Sequence, residues 1–308
     1  MPLSKRKIVL SGSSGGIGQR VGARLLERGA SLATISRSAS GLPGGRHFTA
    51  DLSSEIGRKS AVAFVGDEQP DVLINLAGIQ YFGPAEQQSS SDVEATYAVN
   101  LIAPVLLSQA VLPAMKRKRS GQIVNIGSIL GSIGFAYFAT YSSSKAGLRL
   151  FSEALRREVA GTGIVVSYIA PRAARTGLIS RKVAQYADLT KMAIDEPDEV
   201  ASRIVDAVER GDKEVYFGGA EPFFVKLNGA LPRLVDFFLA NNDRKASALF
   251  ASTSWTTTCF AGVPPLPVRP IGQAPSRRLT RCICASCSGA TARPSRDDGC
   301  LRPAFLAI

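Results

Sequence analysis

Short strand-like runs recur along the first 220 residues, and helical patterns fill several of the gaps between them. The runs are Lys7–Ser11, Ser31–Ser36, Arg46–Ala50, Val72–Asn75, Gln122–Ile126, Ile164–Ala170 and Glu214–Phe217. Helical periodicity covers Ile17 to Arg28, about 92–117, about Tyr141 to Val159 and about Asp198–Glu209. Strands this apolar leave no face for water, so the pattern predicts an α/β fold: a doubly wound parallel sheet flanked by helices on both faces. Right-handed crossovers would bring the C-terminal ends of the strands to one edge, where ligands bind. Ser11, Ser36, Asn75, Ser128 and Pro171 all fall at or just beyond such strand ends.

The stretch Ser11-Gly12-Ser13-Ser14-Gly15-Gly16-Ile17-Gly18 joins the first run to the first helix. Gly12 allows a tight turn, Gly16 a close approach to a pyrophosphate, and Gly18 close helix–strand contact. The helix N-terminus adds N–H groups and positive dipole. A glycine-rich turn that opens a βαβ unit predicts a dinucleotide site, with Ser14 and Ile17 on the same turn. For NAD(H), an acidic residue would end the second strand and hold the ribose 2′-hydroxyl. Ser36-Arg37 stand there instead. A hydroxyl beside a guanidinium suits a 2′-phosphate, which favours NADP(H) over NAD(H). Asp51 and Leu52, after the third strand, are placed to flank the adenine, although Asp51 equally suits a helix N-cap.

Tyr141 and Lys145 form the only Tyr-x-x-x-Lys among seven tyrosines, and Ser128 lies thirteen residues before Tyr141. Four apart on a helix, the pair shares one face. A phenol ionises near pH 10, and lowering that by about three units takes roughly 4 kcal/mol of differential stabilisation. The ammonium of Lys145 and an oxidised nicotinamide are expected to supply it. Tyr141 would then exchange a proton with a substrate oxygen held by Ser128, while Lys145 also holds the nicotinamide ribose.

In this order and spacing the chain resembles the short-chain dehydrogenase/reductase family over about residues 5–220. The resemblance rests on Gly12, Gly16 and Gly18, on Asn75-Leu76-Ala77-Gly78, and on Asn100, Ser128, Tyr141 and Lys145. It implies a single Rossmann-type catalytic domain over residues 1–220. The implied reaction moves a hydride between a nicotinamide and a carbonyl or secondary alcohol, with further cofactor contacts from Asn75, Ala77, Gly78, Pro171 and Thr176. Asn100 matches a fourth catalytic residue, which in the family bends its helix through the main chain and holds a water in a proton relay to the lysine. A homodimer or homotetramer built on the helices near 92–117 and 141–159 is implied as well. Two departures stand out: Leu76 replaces the family's second asparagine, and Arg172 replaces the glycine after Pro171. Arg172 is expected to alter the cofactor pose or add charge at the substrate mouth. A non-catalytic dinucleotide-binding regulator or scaffold would be expected to lack Ser128, Tyr141 or Lys145, and all three are present.

The remaining sequence bounds partners and substrate. Of the net charge of +12, residues 251–308 contribute +5, from seven arginines against Asp297 and Asp298. The other +7 is spread over 250 residues, most densely at Lys116, Arg117, Lys118 and Arg119, which read as a helix C-terminus. No aromatic–basic interleaving accompanies the charge, so no nucleic-acid partner is expected. His47 is the only histidine and reads as part of a short strand, which argues against histidine-based triads and metal sites. All five cysteines fall beyond residue 251, and Cys282-x-Cys284-x-x-Cys287 lacks the paired spacings of a structural zinc site. That segment reads as a disordered tail or an aberrant, frameshifted end.

Gly177–Asp195 is expected to form a mobile substrate loop supplying Leu178, Ile179, Val183, Tyr186, Leu189 and Met192. Within a 221–250 extension, the apolar run Pro222–Leu239, with Lys226 and Arg233, suits a pocket cap, a subunit contact or a peripheral membrane surface. These segments favour an apolar ketone or alcohol that is lipid-, acyl- or polyketide-like. No run of about eighteen apolar residues stands out, and only a three-residue apolar stretch follows Lys5, Arg6 and Lys7. The expectation is therefore a cytoplasmic chain without a membrane-spanning helix.

Overall fold

Strand β1 (Lys7–Ser11) is third of the seven strands in the sheet, and the chain winds outward from it in both directions. The computed structural model describes residues 2–43 and 45–251; the expectations for the tail and its cysteines lie outside these residues. After β1 come α1 (Gly16–Glu27), β2 (Ser31–Ser36), β3 (Arg46–Thr49), α2 (Glu55–Glu68) and β4 (Val72–Asn75). The middle of the chain forms α3 (Ser90–Tyr97), α4 (Ala103–Lys118), β5 (Gly121–Ile126), α5 (Ala139–Glu158) and β6 (Ile164–Ala170). Then follow α6 (Arg181–Thr190), α7 (Pro197–Arg210), β7 (Glu214–Tyr216), α8 (Glu221–Ala230) and α9 (Pro232–Ala251). The sheet order is β3-β2-β1-β4-β5-β6-β7, with every neighbouring pair parallel.

Alternation along β1 builds two cores. Ile8 and Leu10 face the layer containing Val21 and Leu25 of α1 and Val200, Ile204 and Val208 of α7. Val9 points the other way, toward Phe64 and Val65 of α2, Leu107 and Val111 of α4 and Leu155 of α5. Successive strand side chains necessarily take opposite faces, so a strand buried on both reads as a continuous apolar run.

Two elements depart from the sequence reading. The helix expected over 92–117 is interrupted by a π-helical turn at Ala98–Ile102, a known cause of helix bending. By length and composition the stretch Ser90–Lys118 could cross a bilayer, yet 56% of its most apolar window is buried inside the protein, so it serves here as a core helix. The helix α2 is foreshadowed in the sequence only by the N-cap alternative for Asp51. Its buried positions, Gly57, Ala61, Phe64, Val65 and Glu68, recur at helical spacing, and Ser54 caps it by accepting from the Gly57 N–H at 3.0 Å. The buried Glu68 carboxylate pairs with Lys7 at 2.8 Å and with Arg46, tying α2 to β1 and β3.

The extension forms α8 and α9. Val225, Leu227, Val235 and Leu239 pack on Ile129, Ile133, Tyr168 and Ala170, while Phe223, Leu231, Phe237 and Phe238 remain exposed.

The turn after β1 is tightly constrained. Gly12 has φ +79°, and a Cβ there would lie 2.7 Å from the Ala77 backbone; a Cβ on Gly18 would collide with the Gly12 carbonyl oxygen. Gly18→Ala should therefore lower stability by roughly 1–3 kcal/mol, read as a lower urea midpoint at unchanged slope. An unchanged midpoint would contradict this contact.

Candidate active site

Strand order reverses between β1 and β4, so the turns that follow them diverge and open a crevice at the strand C-terminal ends. A cavity of about 580 Å³ occupies it, running from the glycine turn past Arg37, Asp51 and Leu52 to Ser128, Tyr141 and Lys145. That volume is in the range of small-molecule and cofactor sites.

At one end, the N-terminus of α1 has no side-chain cap and no acidic residue in its first turn, so its free N–H groups suit an anion. Gly12, Ser14, Gly16, Ile17, Gly18, Ala77, Gly78, Pro171 and Thr176 all line the cavity. Thr176 lies directly over Gly16, where a Cβ would come within 2.9 Å of the threonine methyl. Ser36 also lines the cavity, but its buried hydroxyl donates to the Ser38 carbonyl at 2.6 Å and lies 3.2 Å from the Ser13 hydroxyl. Its proton is therefore used internally, which corrects the expectation that it binds a phosphate alongside Arg37. Arg37 is exposed at the cavity edge. The Asp51 carboxylate accepts from the backbone N–H and the hydroxyl of Ser53, at 3.0 and 2.8 Å. These bonds, with Arg37 and Arg58 nearby, hold it below the usual carboxylate range. Ser54, not Asp51, caps α2.

Asn75 requires a larger correction. It does not line the cavity; its amide donates to Asn125 at 2.9 Å, within a buried group that includes Ser108 and the Pro104 carbonyl. As the last residue of β4, it turns its side chain into the layer beneath the sheet edge and braces the site from behind.

The other end holds the reactive groups. Ser128 opens the turn after β5, with Leu130 N–H donating to its hydroxyl at 3.2 Å. Tyr168 of β6 grips the same residue through its main chain, donating to the Ser128 carbonyl at 3.3 Å and accepting from its N–H at 3.4 Å. The sequence reading missed Tyr168, because nothing in the run Ile164–Ala170 distinguishes it from an ordinary core aromatic.

Tyr141 and Lys145 emerge from α5 into the cavity, 7% and 4% exposed. Burial pushes the Tyr141 phenol above its usual value of 10, and a hydrogen bond from Ser128 offsets this only in part. Burial also draws Lys145 down to about 8, and its ammonium donates to the Ile126 carbonyl at 2.9 Å. Desolvation is the largest influence on both groups, while the lowering expected from Lys145 together with an oxidised nicotinamide belongs to the cofactor-bound site.

Asn100 sits in the π-helical turn, wholly buried and away from the cavity lining. Its amide donates to the Ile79 carbonyl at 2.9 Å and to Ser144 at 3.0 Å, and its oxygen accepts from the Ile79 N–H at 2.9 Å. It joins the loop after β4 to the residue beside Lys145, which makes its side chain a positioning group.

The wall beyond Ser128 and Tyr141 is apolar: Leu130, Phe135, Phe138, Ile179, Val183 and Met192. The expected loop Gly177–Asp195 contains α6, capped by Ser180. Leu178 lines the cavity, but Leu189 faces solvent and Tyr186 is buried among aromatics, 5.4 Å from Phe82 and 6.1 Å from Phe138 between ring centroids. No residue of 221–251 lines the cavity; Ala246 and Leu249 instead pack among Tyr141, Val183 and Tyr186. Arg172 does line it, yet its guanidinium is bound by Asp195 and Glu221, so the expected free charge at the substrate mouth is neutralised.

These groups fit a nicotinamide dinucleotide: free helix N–H groups at one end, a buried tyrosine and lysine at the other, and a continuous cavity between. The family model described as short chain dehydrogenase matches residues 6–187, so the chain belongs to the short-chain dehydrogenase family and is an oxidoreductase of the CH–OH/C=O class. Among its relatives, the ketoacyl reductase HetN of Nostoc sp. is 33% identical over 232 residues, covering 69% of this chain and 78% of HetN. The dehydrogenase/reductase SDR family member 7B of Bos taurus is 30% identical over 266 residues, 77% of this chain and 81% of the relative. A short chain dehydrogenase from Burkholderia cenocepacia, solved in complex with NADP, superposes with a TM-score of 0.67 at 25% identity, covering 78% of this chain and 99% of that one.

The lysine shift has a pH signature. A native pKa of about 8 against an unfolded 10.5 means the unfolded chain binds more protons between those values, so stability rises with pH there. Between pH 8 and 10.5 the wild type should gain on the order of 3 kcal/mol relative to Lys145→Met. Urea midpoints at pH 7 and pH 10.5 measure this, and parallel behaviour of the two proteins would refute it.

Proposed function

We propose that the chain is an NADP(H)-dependent reductase of apolar ketones, lipid- or acyl-like in character. The observation that carries this reading is the buried Tyr141 beside Ser128 and Lys145, at the apolar end of a cavity that begins on a free helix N-terminus. The ketoacyl reductase relative supports the substrate class, and the NADP complex of the structural relative supports the cofactor.

Bound nicotinamide dinucleotide supplies the hydride, and the protein's own residues do the rest. The α1 N-terminus and the Gly12–Gly18 turn hold the pyrophosphate, and Arg37 holds the 2′-phosphate. Lys145 and Thr176 hold the nicotinamide end. Ser128 and Tyr141 grip the carbonyl oxygen, and Tyr141 gives up its proton as charge develops there. The resulting phenolate is stabilised by the Ser128 hydroxyl and the Lys145 ammonium. Phe135, Phe138, Ile179, Val183 and Met192 exclude water and take the apolar chain of the substrate. In the reverse direction the phenolate takes the proton back.

With a panel of apolar ketones of increasing chain length, kcat/KM should rise with length, and NADPH should outperform NADH. Arg37→Glu should cut the NADPH/NADH ratio by about tenfold or more, the scale of one charge-assisted hydrogen bond. An unchanged ratio would remove Arg37 from the 2′-phosphate.

A further inference from the structure

Arg172 follows Pro171 just beyond β6, where the family has a glycine, and the residues around it are arranged to receive a guanidinium. Its Nε donates to Asp195 Oδ2 at 3.1 Å, and a second N–H binds the other Asp195 oxygen. A third reaches Glu221 Oε1 at 3.0 Å. Asp195 is only 8% exposed, so without Arg172 it would be an unpaired buried carboxylate.

The same aspartate closes the main chain around it. Its N–H donates to the Ala173 carbonyl at 2.8 Å and its carbonyl accepts from Arg175 N–H at 3.0 Å, forming a bridge between Ala174 and Asp195. Everything between them is a flap with a clamped base. The flap lays Thr176 on Gly16 of the cofactor turn and presents Ile179, Val183 and Met192 to the substrate end. Its far side rests on α9, where Lys245 donates to the Leu189 carbonyl at 3.1 Å. Glu221, in the first turn of α8, folds back over Gly218 (φ +113°), where any Cβ would displace its carboxylate. Arg172 therefore joins three elements: the end of β6, the flap base and the start of the α8–α9 pair.

The geometry points to Arg172 as a positioning residue that locks the flap base, so that entry and release of ligands move only the part of the flap above the Ala174–Asp195 bridge. Only the kinetic part of this inference rests on the proposed reductase activity.

Limited trypsin cleavage of the full chain, with products assigned by mass, tests it at the exposed flap residues Arg181 and Lys191. Arg172→Gly and Asp195→Asn should each speed flap cleavage about tenfold over cleavage elsewhere, equivalent to about 1.4 kcal/mol in an opening equilibrium. The double variant should match Arg172→Gly, because that change already removes the Asp195 contact. Ketone KM should rise more than kcat falls, and Tyr141→Phe should be cleaved like the wild type. General destabilisation would instead speed cleavage at all sites together. Wild-type flap cleavage in the variants, an unselective rise, or multiplying effects in the double would overturn the assignment. If Asp195→Asn does not fold, Glu221→Gln decides: a smaller, flap-selective rise supports the latch, and the wild-type rate overturns it. Cleavage needs no turnover, so a chain that reduces no ketone but shows the selective rise separates failure of the functional reading from failure of this one.

Discussion

Burying Tyr141 and Lys145 at the C-terminal edge of the sheet is the constraint around which the site is arranged. A phenol and an ammonium shielded from water each favour their neutral forms, so the tyrosine keeps its proton and the lysine holds its own less tightly. Such groups persist only where surrounding structure fixes them. Lys145 is anchored on the Ile126 carbonyl, Ser128 on Tyr168, and the neighbouring Ser144 on Asn100. The two apolar cores on either side of β1 supply the stability against which this local cost is set.

Much of this could be read from the chain alone, for physical reasons. Strands buried on both faces leave continuous apolar runs, and a strand–glycine–helix opening has few structural solutions, so β1, α1 and the cavity's cofactor end followed directly. Tyr141 and Lys145 were found because helical spacing puts residues four apart on one face. The failures concern where a polar side chain at a strand end turns. Asn75 and Ser36 each end a strand, but Asn125 draws one beneath the sheet and Ser13 with Ser38 engages the other. Arg172 had no visible partner in sequence, because Asp195 lies 23 residues away and Glu221 lies 49 away. The helix α2 was obscured by Gly57 and Gly66, although its buried positions keep helical spacing.

The C-terminal helices α8 and α9 back the site without entering it. Neither α8 nor α9 lines the cavity, yet both back the parts that do: one packs behind the turn carrying Ser128, the other behind Tyr141 and the flap. Their packing fixes where Phe138, Val183 and Tyr186 lie. The apolar run seen in the sequence has a divided role, with Val235 and Leu239 turned inward while Phe237 and Phe238 face solvent.

The most direct test of the catalytic account is a single turnover with NADPH carrying deuterium at the transferring position and an apolar ketone, read by mass spectrometry of the alcohol. The account predicts deuterium on the carbinol carbon with the wild type, and none with a Tyr141→Phe protein that still binds NADPH. Binding without transfer by the wild type, or undiminished transfer by Tyr141→Phe, would contradict it.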